Sequence, residues 1–356
     1  MRDGTLVLLW GLESDPPLAA VREQLHLLGV ANELVDQRKI LDTDVQLNVG
    51  ESIDASLRIR NREIDLNEIT AIYVRPYDSH QLPEIANAGP QSLAWQHATG
   101  VDDILASWSE ITSAFVVNRL GAMASNNSKP HQLQQIQSLG FSVPETLITN
   151  DPVAAQDFWE RHSTVIYKSV SAIRSRVARL RREHVERFKD ISFCPTQFQQ
   201  WISGTDHRVH VVGEEVFASE VLCRADDYRY PDHHPVEIGA CCLPEEIENQ
   251  SRRLARALQL PVAGIDLRRT PDGEWFCFEV NPTPAFAYYE EATGQPIANA
   301  IARLLASGSL DGTYKSYETD KSDGTDKSDA NLQGLCRAEP LAEQDALNAV
   351  GQRPHC

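Results

Sequence analysis

The chain has 356 residues, 42% of them hydrophobic, which is long enough for two or three domains and apolar enough to bury a large core. Its formal net charge of −18 argues against a broad nucleic-acid-binding surface, because such a surface needs clustered Lys and Arg. Seven scattered Cys without a C-x-x-C pair, and no apolar stretch near the roughly 20 residues that span a bilayer, predict a cytoplasmic protein without a membrane partner.

The first 117 residues predict an α/β domain in which strands and helices alternate. The predicted elements, in order, are a strand at Thr5–Trp10, a helix at Pro16–Leu28, strands at Asn32–Val35 and Ala71–Arg75, a helix at Ser92–Trp108 and a strand at Ala114–Val117. Such alternation favours a mainly parallel sheet, whose ligands gather at the carboxyl ends of the strands. Arg75 lies at such an end, so it either contacts a substrate or fixes a loop through a carboxylate.

Residues 118–195 predict a second, smaller unit. Its expected elements are a helix at Lys129–Leu139, a helix that starts at Asp151-Pro152, and a strand at Thr164–Lys168. Basic residues then concentrate in RSRVARLRREHVERFK, residues 174–189. This basic segment is either the solvated face of a helix or, near Arg174, a lid over phosphates.

Residues 196–307 predict a third unit, and the remaining residues predict a disordered acidic tail. The expected elements of the third unit are strands at Val209–Val212 and Val216–Val221 and helices at Pro244–Leu258 and Pro296–Leu305. The tail, residues 308–356, contains a near-repeat of Thr-Asp-Lys-Ser-Asp and few apolar residues that could offset the entropy of ordering.

The segment Gly264–Pro284, GIDLRRTPDGEWFCFEVNPTP, predicts a β-hairpin with a tight turn at Asp272-Gly273. A two-residue loop places Asp266 opposite Glu279. Strand alternation then puts Trp275, Cys277, Glu279 and Asn281 on one face and Phe276, Phe278 and Val280 on the other. Two carboxylates and an amide suit Mg²⁺, above all Mg²⁺ already held by substrate phosphates, whereas the alternative is a surface hairpin with solvated acids.

The motifs D-x-R and F-E-x-N-P-x-P in this hairpin resemble the metal-binding end of ATP-grasp ligases. The resemblance is to the branch with RimK-type glutamate ligases and the ligases that macrocyclise microviridin-like peptides (graspetides). Further similar motifs follow the family's chain order over residues 115–306, at Asn126–Lys129, Val165–Ser169, Phe198–Ile202 and Gly204–Val209. The resemblance implies a mixed α/β and α+β ATP-grasp fold. Its parts are an N-terminal α/β (pre-ATP-grasp) domain at 1–117, a small central subdomain at 118–195, and a metal- and nucleotide-binding subdomain at 196–307.

The resemblance also implies ATP and Mg²⁺ as cofactors and a role for each matching residue. The implied metal ligands are Asp266, Glu279 and Asn281. The implied nucleotide contacts are Lys129 and Lys168 to phosphates, Ser171 in the covering loop, Gln199, Gln200, Trp201 and Ile202 along adenine, and Asp206 at the ribose. The implied catalytic residues are Arg208, Lys168 and Arg174. Candidate contacts to an acidic substrate are Arg75, Arg229 and Arg268. The covering loop at 169–176 departs from the family pattern because it contains no glycine.

The expected activity is ATP-dependent ligation, in which a substrate carboxylate becomes an acyl phosphate and is joined to an amine or hydroxyl. The resemblance favours a peptide or protein substrate and a homodimer. A small-molecule carboxylate–amine ligase is the second hypothesis, and a non-catalytic nucleotide-binding module is the third.

Overall fold

The computed structural model describes residues 4–124, 128–169, 177–223 and 235–309, which form four β-sheets with flanking helices. The strands are β1 Leu6–Gly11, β2 Ala31–Asp36, β3 Thr43–Val49, β4 Ile53–Ile59, β5 Arg62–Asp65, β6 Ala71–Arg75, β7 Phe115–Val117, β8 Thr146–Thr149, β9 Val165–Ser169, β10 Ala178–Arg179, β11 Thr196–Gln200, β12 Thr205–Val212, β13 Glu215–Cys223, β14 Val236–Cys241, β15 Val262–Arg269 and β16 Trp275–Asn281. The helices are α1 Pro16–Leu27, α2 Pro83–Ala88, α3 Leu93–Ile111, α4 Leu120–Met123, α5 Lys129–Ser138, α6 Pro152–Arg161, α7 Arg182–Val185, α8 Glu245–Ala257, α9 Ala287–Thr293 and α10 Ile297–Ser307.

The predicted residues Ser171, Arg174 and Arg229 lie outside the described residues, as does the tail from residue 310. Residues 4–309 belong to one compact unit, so the boundaries at 117 and 195 stay predictions. Within the described part of the chain, no helix combines the length and the apolarity needed to cross a membrane.

The N-terminal sheet has the order β2-β1-β6-β7 with every pair parallel, which confirms the predicted parallel sheet. Asp15 caps α1 by accepting a hydrogen bond from the Leu18 N–H, and Gly29 ends the segment with φ +67°. The carboxyl ends of β1 and β6 lie side by side, since Gly11 pairs with Arg75. Arg75 therefore lies at the sheet edge where ligands of such sheets bind.

A small antiparallel sheet, β3-β4-β5, was not predicted from the sequence. Its buried residues Ala55, Leu57 and Ile64 join the apolar core under the N-terminal sheet. Its three strands are only four to seven residues long. Short strands of this kind give a weak periodic signal.

The central sheet has the order β10-β9-β11-β8, and its three pairings are antiparallel. One face packs through Val165 and Phe198 against Phe158 of α6. One of the two alternatives for residues 174–189, the solvated face of a helix, does not hold for their described part, which forms β10, the single turn α7 and the start of a 3-10 helix at Phe188–Phe193. Tertiary contacts override the local helical pattern here, because β10 pairs with β9 and extends the sheet.

The C-terminal sheet has the order β14-β13-β12-β15-β16 and is antiparallel throughout. Along β15, Ala263, Ile265 and Leu267 are buried in the core beneath the sheet. Asp266 and Arg268 alternate with them and therefore point away from that core. The core beneath this sheet thus fixes which β15 side chains face the opposite side.

The hairpin of β15 and β16 confirms the predicted Asp266–Glu279 pair but differs at the turn. The loop has three residues, because Thr270 accepts a hydrogen bond from Gly273 and donates one to Glu274. A bulge at Phe278 then restores the predicted register beyond it.

The predicted face assignment of β16 is therefore wrong on the turn side of the bulge. Cys277 pairs with Leu267, and Cys277 and Val280 are both fully buried in the core beneath the sheet. Burial raises the pKa of the Cys277 thiol, so this sulfur stays protonated inside the core rather than beside the carboxylates.

A buried amide holds α5 against β16. The Gln132 side chain donates to the Val280 carbonyl at 2.8 Å and accepts from the Val280 N–H at 3.0 Å. Because Lys129 begins the same helix, this pair of hydrogen bonds also fixes Lys129 relative to the strand that carries Glu279.

Replacing Gln132 by Leu should lower the free energy of unfolding by about 3 kcal/mol, because two buried backbone groups of Val280 lose their partner. Urea denaturation measures this change. Gln134→Leu, an exposed position on the same helix, is the control and should change the free energy of unfolding by less than about 0.5 kcal/mol. Equal effects of the two substitutions would contradict the prediction.

Candidate active site

Three charged side chains form a row across three neighbouring strands of the C-terminal sheet. Arg208 of β12 pairs with Asp266 of β15, and Asp266 pairs with Glu279 of β16. The Arg208 Nη1 atom lies 2.6 Å from Asp266 Oδ1, and only 6% of Arg208 is exposed. A buried guanidinium needs such a carboxylate partner, because desolvating an unpaired charge costs several kcal/mol.

Gly264 makes space for the Arg208 side chain. A Cβ atom at this position would collide with Arg208 Nη2, and it would lie 2.8 Å from Arg208 Cζ and 2.8 Å from Pro284 Cβ. Glycine is therefore required by close packing, since its φ angle is ordinary. A glycine inside a strand pattern is a known sign of such a close approach, so this signal was present in the sequence.

His210 lies two residues beyond Arg208 on the same face of β12. The Arg208 Nε atom donates to His210 Nε2 at 3.4 Å, which assigns the imidazole proton to Nδ1. The His210 side chain is fully buried against Tyr289, and burial together with the Arg208 charge lowers the pKa of His210 well below its ordinary value. The imidazole is therefore neutral and orients Arg208 as a hydrogen-bond acceptor. This role of His210 was not predicted from the sequence.

The predicted metal ligands converge at one end of the β15–β16 hairpin. Asp266 and Glu279 are directly opposite, and Asn281 lies opposite Gly264. The Asn281 Oδ1 atom accepts a hydrogen bond from the Thr283 N–H at 2.9 Å, which fixes the orientation of its amide. Among the residues that the structure describes, no cluster of three or more His, Cys, Asp or Glu could hold a metal ion. Two carboxylates and one amide oxygen fit Mg²⁺ only if phosphate oxygens or water complete the coordination.

The predicted phosphate-binding lysines come from two different elements. Lys129 lies in the first turn of α5, and Lys168 lies near the end of β9, where it pairs with Gln197 of β11. Both lysines are half-buried. Contact of either one with phosphate stays a prediction.

The predicted adenine-lining segment forms β11 and the start of the connection to β12. The Gln199 side chain is buried and donates to Thr146 Oγ1 at 2.9 Å. The backbone N–H groups of Gln200 and Trp201 donate to the carbonyls of Glu145 and Thr164. These two backbone donors are already used inside the protein, and contact of the segment with adenine stays a prediction.

Asp206, near the start of β12, and Arg268, near the end of β15, form an ion pair in the C-terminal sheet. The Arg268 Nε and Nη2 atoms lie 2.8 and 2.9 Å from the two carboxylate oxygens of Asp206. The structure therefore brings the predicted ribose contact and a predicted substrate contact together.

Arg75 borders a small pocket between the N-terminal sheet and the end of β16. Its Nε atom lies 2.5 Å from Asp15 Oδ2, and its Nη1 donates to the Pro284 carbonyl at 3.2 Å. The pocket, of about 160 Å³, is lined by Leu12, Asp15, Arg75, Pro76, Tyr77 and Thr283. Arg75 thus pairs with a carboxylate, which agrees with the second of its two predicted roles. Contact of Arg75 with a substrate stays a prediction.

Comparison with known families decides between the possible uses of this site. Residues 124–305, half of the chain, match the model of the RimK-like ATP-grasp domain. The chain belongs to the RimK-like ATP-grasp family. The predicted family, the predicted fold and the expectation of a ligase enzyme are thereby confirmed. A non-catalytic module is no longer a candidate.

Individual relatives of this ATP-grasp ligase are distant but similar over most of their length. A probable alpha-L-glutamate ligase of Alkalilimnicola ehrlichii is 25% identical over 57% of this chain and 71% of the relative. The macrocyclase MdnC from Microcystis aeruginosa MRC, solved with its precursor peptide MdnA, is 22% identical with a TM-score of 0.73, covering 85% of this chain and 99% of MdnC. The ATP-grasp ligase PsnB, solved with a minimal precursor, Mg and ADP, is 26% identical with a TM-score of 0.68, covering 84% and 96%.

Substitution of Gly264 by Ala should reduce ATP turnover at least about 100-fold, because the added methyl group displaces the Arg208 guanidinium. Steady-state ADP release measures the loss. Gly239→Ala on β14, where an added Cβ meets no atom within 4 Å, is the matched control and should retain turnover. Retained turnover in the Gly264→Ala variant would contradict the proposed packing.

The buried His210 should make stability fall in acid. The unfolded chain protonates this imidazole below pH ~6.5, whereas the folded protein, with its lowered His210 pKa, does not. The unfolded state therefore binds more protons, and the free energy of unfolding decreases as pH falls, by up to about 1.4 kcal/mol per pH unit. Urea denaturation between pH 7 and 5 should show a steeper decrease for the wild type than for His210→Gln. Parallel curves would refute a neutral buried histidine.

Proposed function

We propose that this ligase uses ATP and Mg²⁺ to activate a substrate carboxylate as an acyl phosphate and joins it to an amine or hydroxyl of a peptide or protein. The observation that carries the proposal is the row Arg208–Asp266–Glu279, which sets a buried cation beside two oxygen-rich side chains. A site of this kind can bind a metal-bound phosphate and the negative charge that develops beside it.

Each side chain has a role in this mechanism. Asp266, Glu279 and Asn281 would hold Mg²⁺, which when bound withdraws charge from the ATP phosphates. Lys129 and Lys168 supply compact positive charges suited to phosphate oxygens. Arg208 is oriented by His210 and Asp266, so its planar guanidinium meets the transferred phosphoryl group without reorganisation. The carboxylate attacks the terminal phosphorus atom and ADP leaves; the amine or hydroxyl then displaces phosphate from the acyl carbon.

The Arg75 pocket has a size that fits one side chain of a peptide substrate. At about 160 Å³ the pocket is smaller than the 300 Å³ or more that is usual for small-molecule sites. It would accept one side chain of a longer substrate, with Arg75 available at its wall. Solved structures of the similar ligases MdnC and PsnB contain precursor peptides.

A small-molecule carboxylate–amine ligase, for example one that acts on free glutamate, is the second candidate. The name alpha-L-glutamate ligase of a curated relative fits either candidate, whereas the relative from Escherichia fergusonii that is named ribosomal protein bS6–L-glutamate ligase favours a protein substrate. The two candidates differ in the size of the acceptor, which a panel of acidic peptides and free amino acids distinguishes. The homodimer expected from the resemblance stays a prediction.

Replacing Glu279 by Gln should lower substrate-stimulated ADP release at least about 100-fold, because the loss of a metal ligand removes several kcal/mol of charge stabilisation. The assay includes Mg·ATP and the panel of acidic peptides and amino acids, with products identified by mass. Glu274→Gln at the turn end of the same hairpin is the matched control, since glutamine retains the acceptor for the Ser142 hydroxyl.

Three results would count against the proposal. Wild-type protein that fails to bind Mg·ATP would contradict the nucleotide site. Equal activity in the Glu279→Gln and Glu274→Gln variants would contradict the metal site. A ligated product from free glutamate alone, with none from any peptide, would favour the second candidate.

A further inference from the structure

Arg268 lies at the centre of a set of contacts that neither the predicted substrate role nor the mechanism explains. Its Nε and Nη2 atoms bind both oxygens of Asp206, and its Nη1 atom donates to the Ile202 carbonyl at 2.8 Å. The Arg268 Cζ atom also lies 4.7 Å from the centre of the Trp201 ring and 5.3 Å from that of Phe278. All three guanidinium nitrogens therefore donate to the protein, and aromatic rings lie close to the group.

Trp201 connects two sheets through stacked cations. Arg179 of β10, in the central sheet, lies with its Cζ 4.2 Å from the centre of the Trp201 ring. Arg268 of β15, in the C-terminal sheet, contacts the same ring. Cation–π contacts of this kind stabilise by about 0.5–2 kcal/mol each, depending on burial. The ring thus links an arginine from each of the two sheets between which the nucleotide would bind.

The chain crosses from the central sheet to the C-terminal sheet through Trp201–Gly204, and Arg268 holds this connection. The Ile202 carbonyl is bound by Arg268, and Asp206 lies at the start of β12 immediately after the crossing. Gly204 packs so closely on β15 that a Cβ atom there would lie 2.8 Å from the Arg269 carbonyl carbon and 3.1 Å from Arg268 Cγ. The Arg268 side chain therefore contacts the connection at Trp201, Ile202 and Gly204.

We propose that Arg268 is a positioning residue of the nucleotide site, which holds Trp201, Ile202 and Asp206 in the arrangement that binds the base and ribose of ATP. The inference rests on the proposed function, because it assigns these three residues to the nucleotide. It deepens that function by separating Arg268 from the carboxylate substrate. Arg268 acts through Asp206 and the connection, and it does not contact the reacting atoms.

The contacts favour this role over direct binding of an acidic substrate. The Arg268 side chain is only 11% exposed, and its bidentate pair with Asp206 neutralises its charge. Three of the five Arg268 N–H groups already donate to Asp206 and to the Ile202 carbonyl, which leaves at most two for a substrate carboxylate. By contrast, each Asp206 oxygen retains a lone pair that can accept from a ribose hydroxyl while Arg268 remains bound.

The test compares two ligands that differ only beyond the phosphates. Mg·ADP and Mg·pyrophosphate binding to the full chain are measured by calorimetry for the wild type and Arg268→Lys. Lysine keeps the charge but loses the bidentate pair and the planar stack. We expect affinity for ADP to fall about 10-fold or more, which corresponds to the loss of one charge-assisted hydrogen bond, and affinity for pyrophosphate to change less than about twofold.

Arg269→Lys is the matched control, because Arg269 is the exposed neighbour on the same strand. It should leave binding of both ligands unchanged. Asp206→Asn provides a second variant should Arg268→Lys fail to fold. It keeps the side-chain shape but weakens the ion pair, so it should also reduce affinity for ADP selectively.

Three results would overturn the inference. Unchanged ADP affinity in both Arg268→Lys and Asp206→Asn would show that Arg268 does not position the nucleotide. Equal losses for ADP and pyrophosphate would show that Arg268 supports the site as a whole and does not position the base and ribose contacts. Wild-type protein that binds neither ligand would refute the proposed function and the inference with it, whereas the first two results refute the inference alone.

Discussion

The pairing of β15 with both β12 and β16 is the constraint on which the site depends, because it places Arg208 beside Asp266 and Asp266 beside Glu279. A guanidinium that is 6% exposed would destabilise the fold by several kcal/mol without its carboxylate. The surrounding residues accommodate the Arg208–Asp266 pair. Gly264 leaves space for the Arg208 guanidinium, and His210 gives it a neutral hydrogen-bond acceptor. The same arrangement that satisfies a buried charge therefore also orients it toward a phosphate.

The sequence predicted most regular elements and the Asp266–Glu279 pair, because these follow from strong periodicity and from hairpin geometry. The pair was nevertheless predicted from a two-residue loop, whereas the loop has three residues and Phe278 forms a bulge. The extra loop residue and the bulge cancel in the strand register beyond Phe278, so Asp266 still pairs with Glu279. Between the turn and the bulge the register differs from the prediction by one residue, and Cys277 therefore points into the core. Turn chemistry explains the longer loop, since Gly273 has φ +89° and suits the last position of a three-residue loop.

What the sequence could not predict are contacts between residues far apart in the chain. Gln132 binds a strand that begins 143 positions later, and the Asn118 amide donates to the carbonyls of Val262 and Pro282. The partner of Arg268 is likewise set by the pairing of β12 with β15, which places Asp206 opposite Arg268. Residue type suggested an anion for Arg268, but only the register identifies that anion as a carboxylate of the same protein.

The compensation between the loop and the bulge makes the β15–β16 hairpin a spacer of fixed length. What holds Glu279 opposite Asp266 is the number of residues between them, which two different combinations of loop and bulge can accommodate. We therefore expect natural variants of this hairpin to differ freely in the identity of residues 270–274 while retaining their number. A single insertion there that neither a longer loop nor a second bulge absorbs would exchange the faces of β16 beyond the turn, and Glu279 would change places with a core residue.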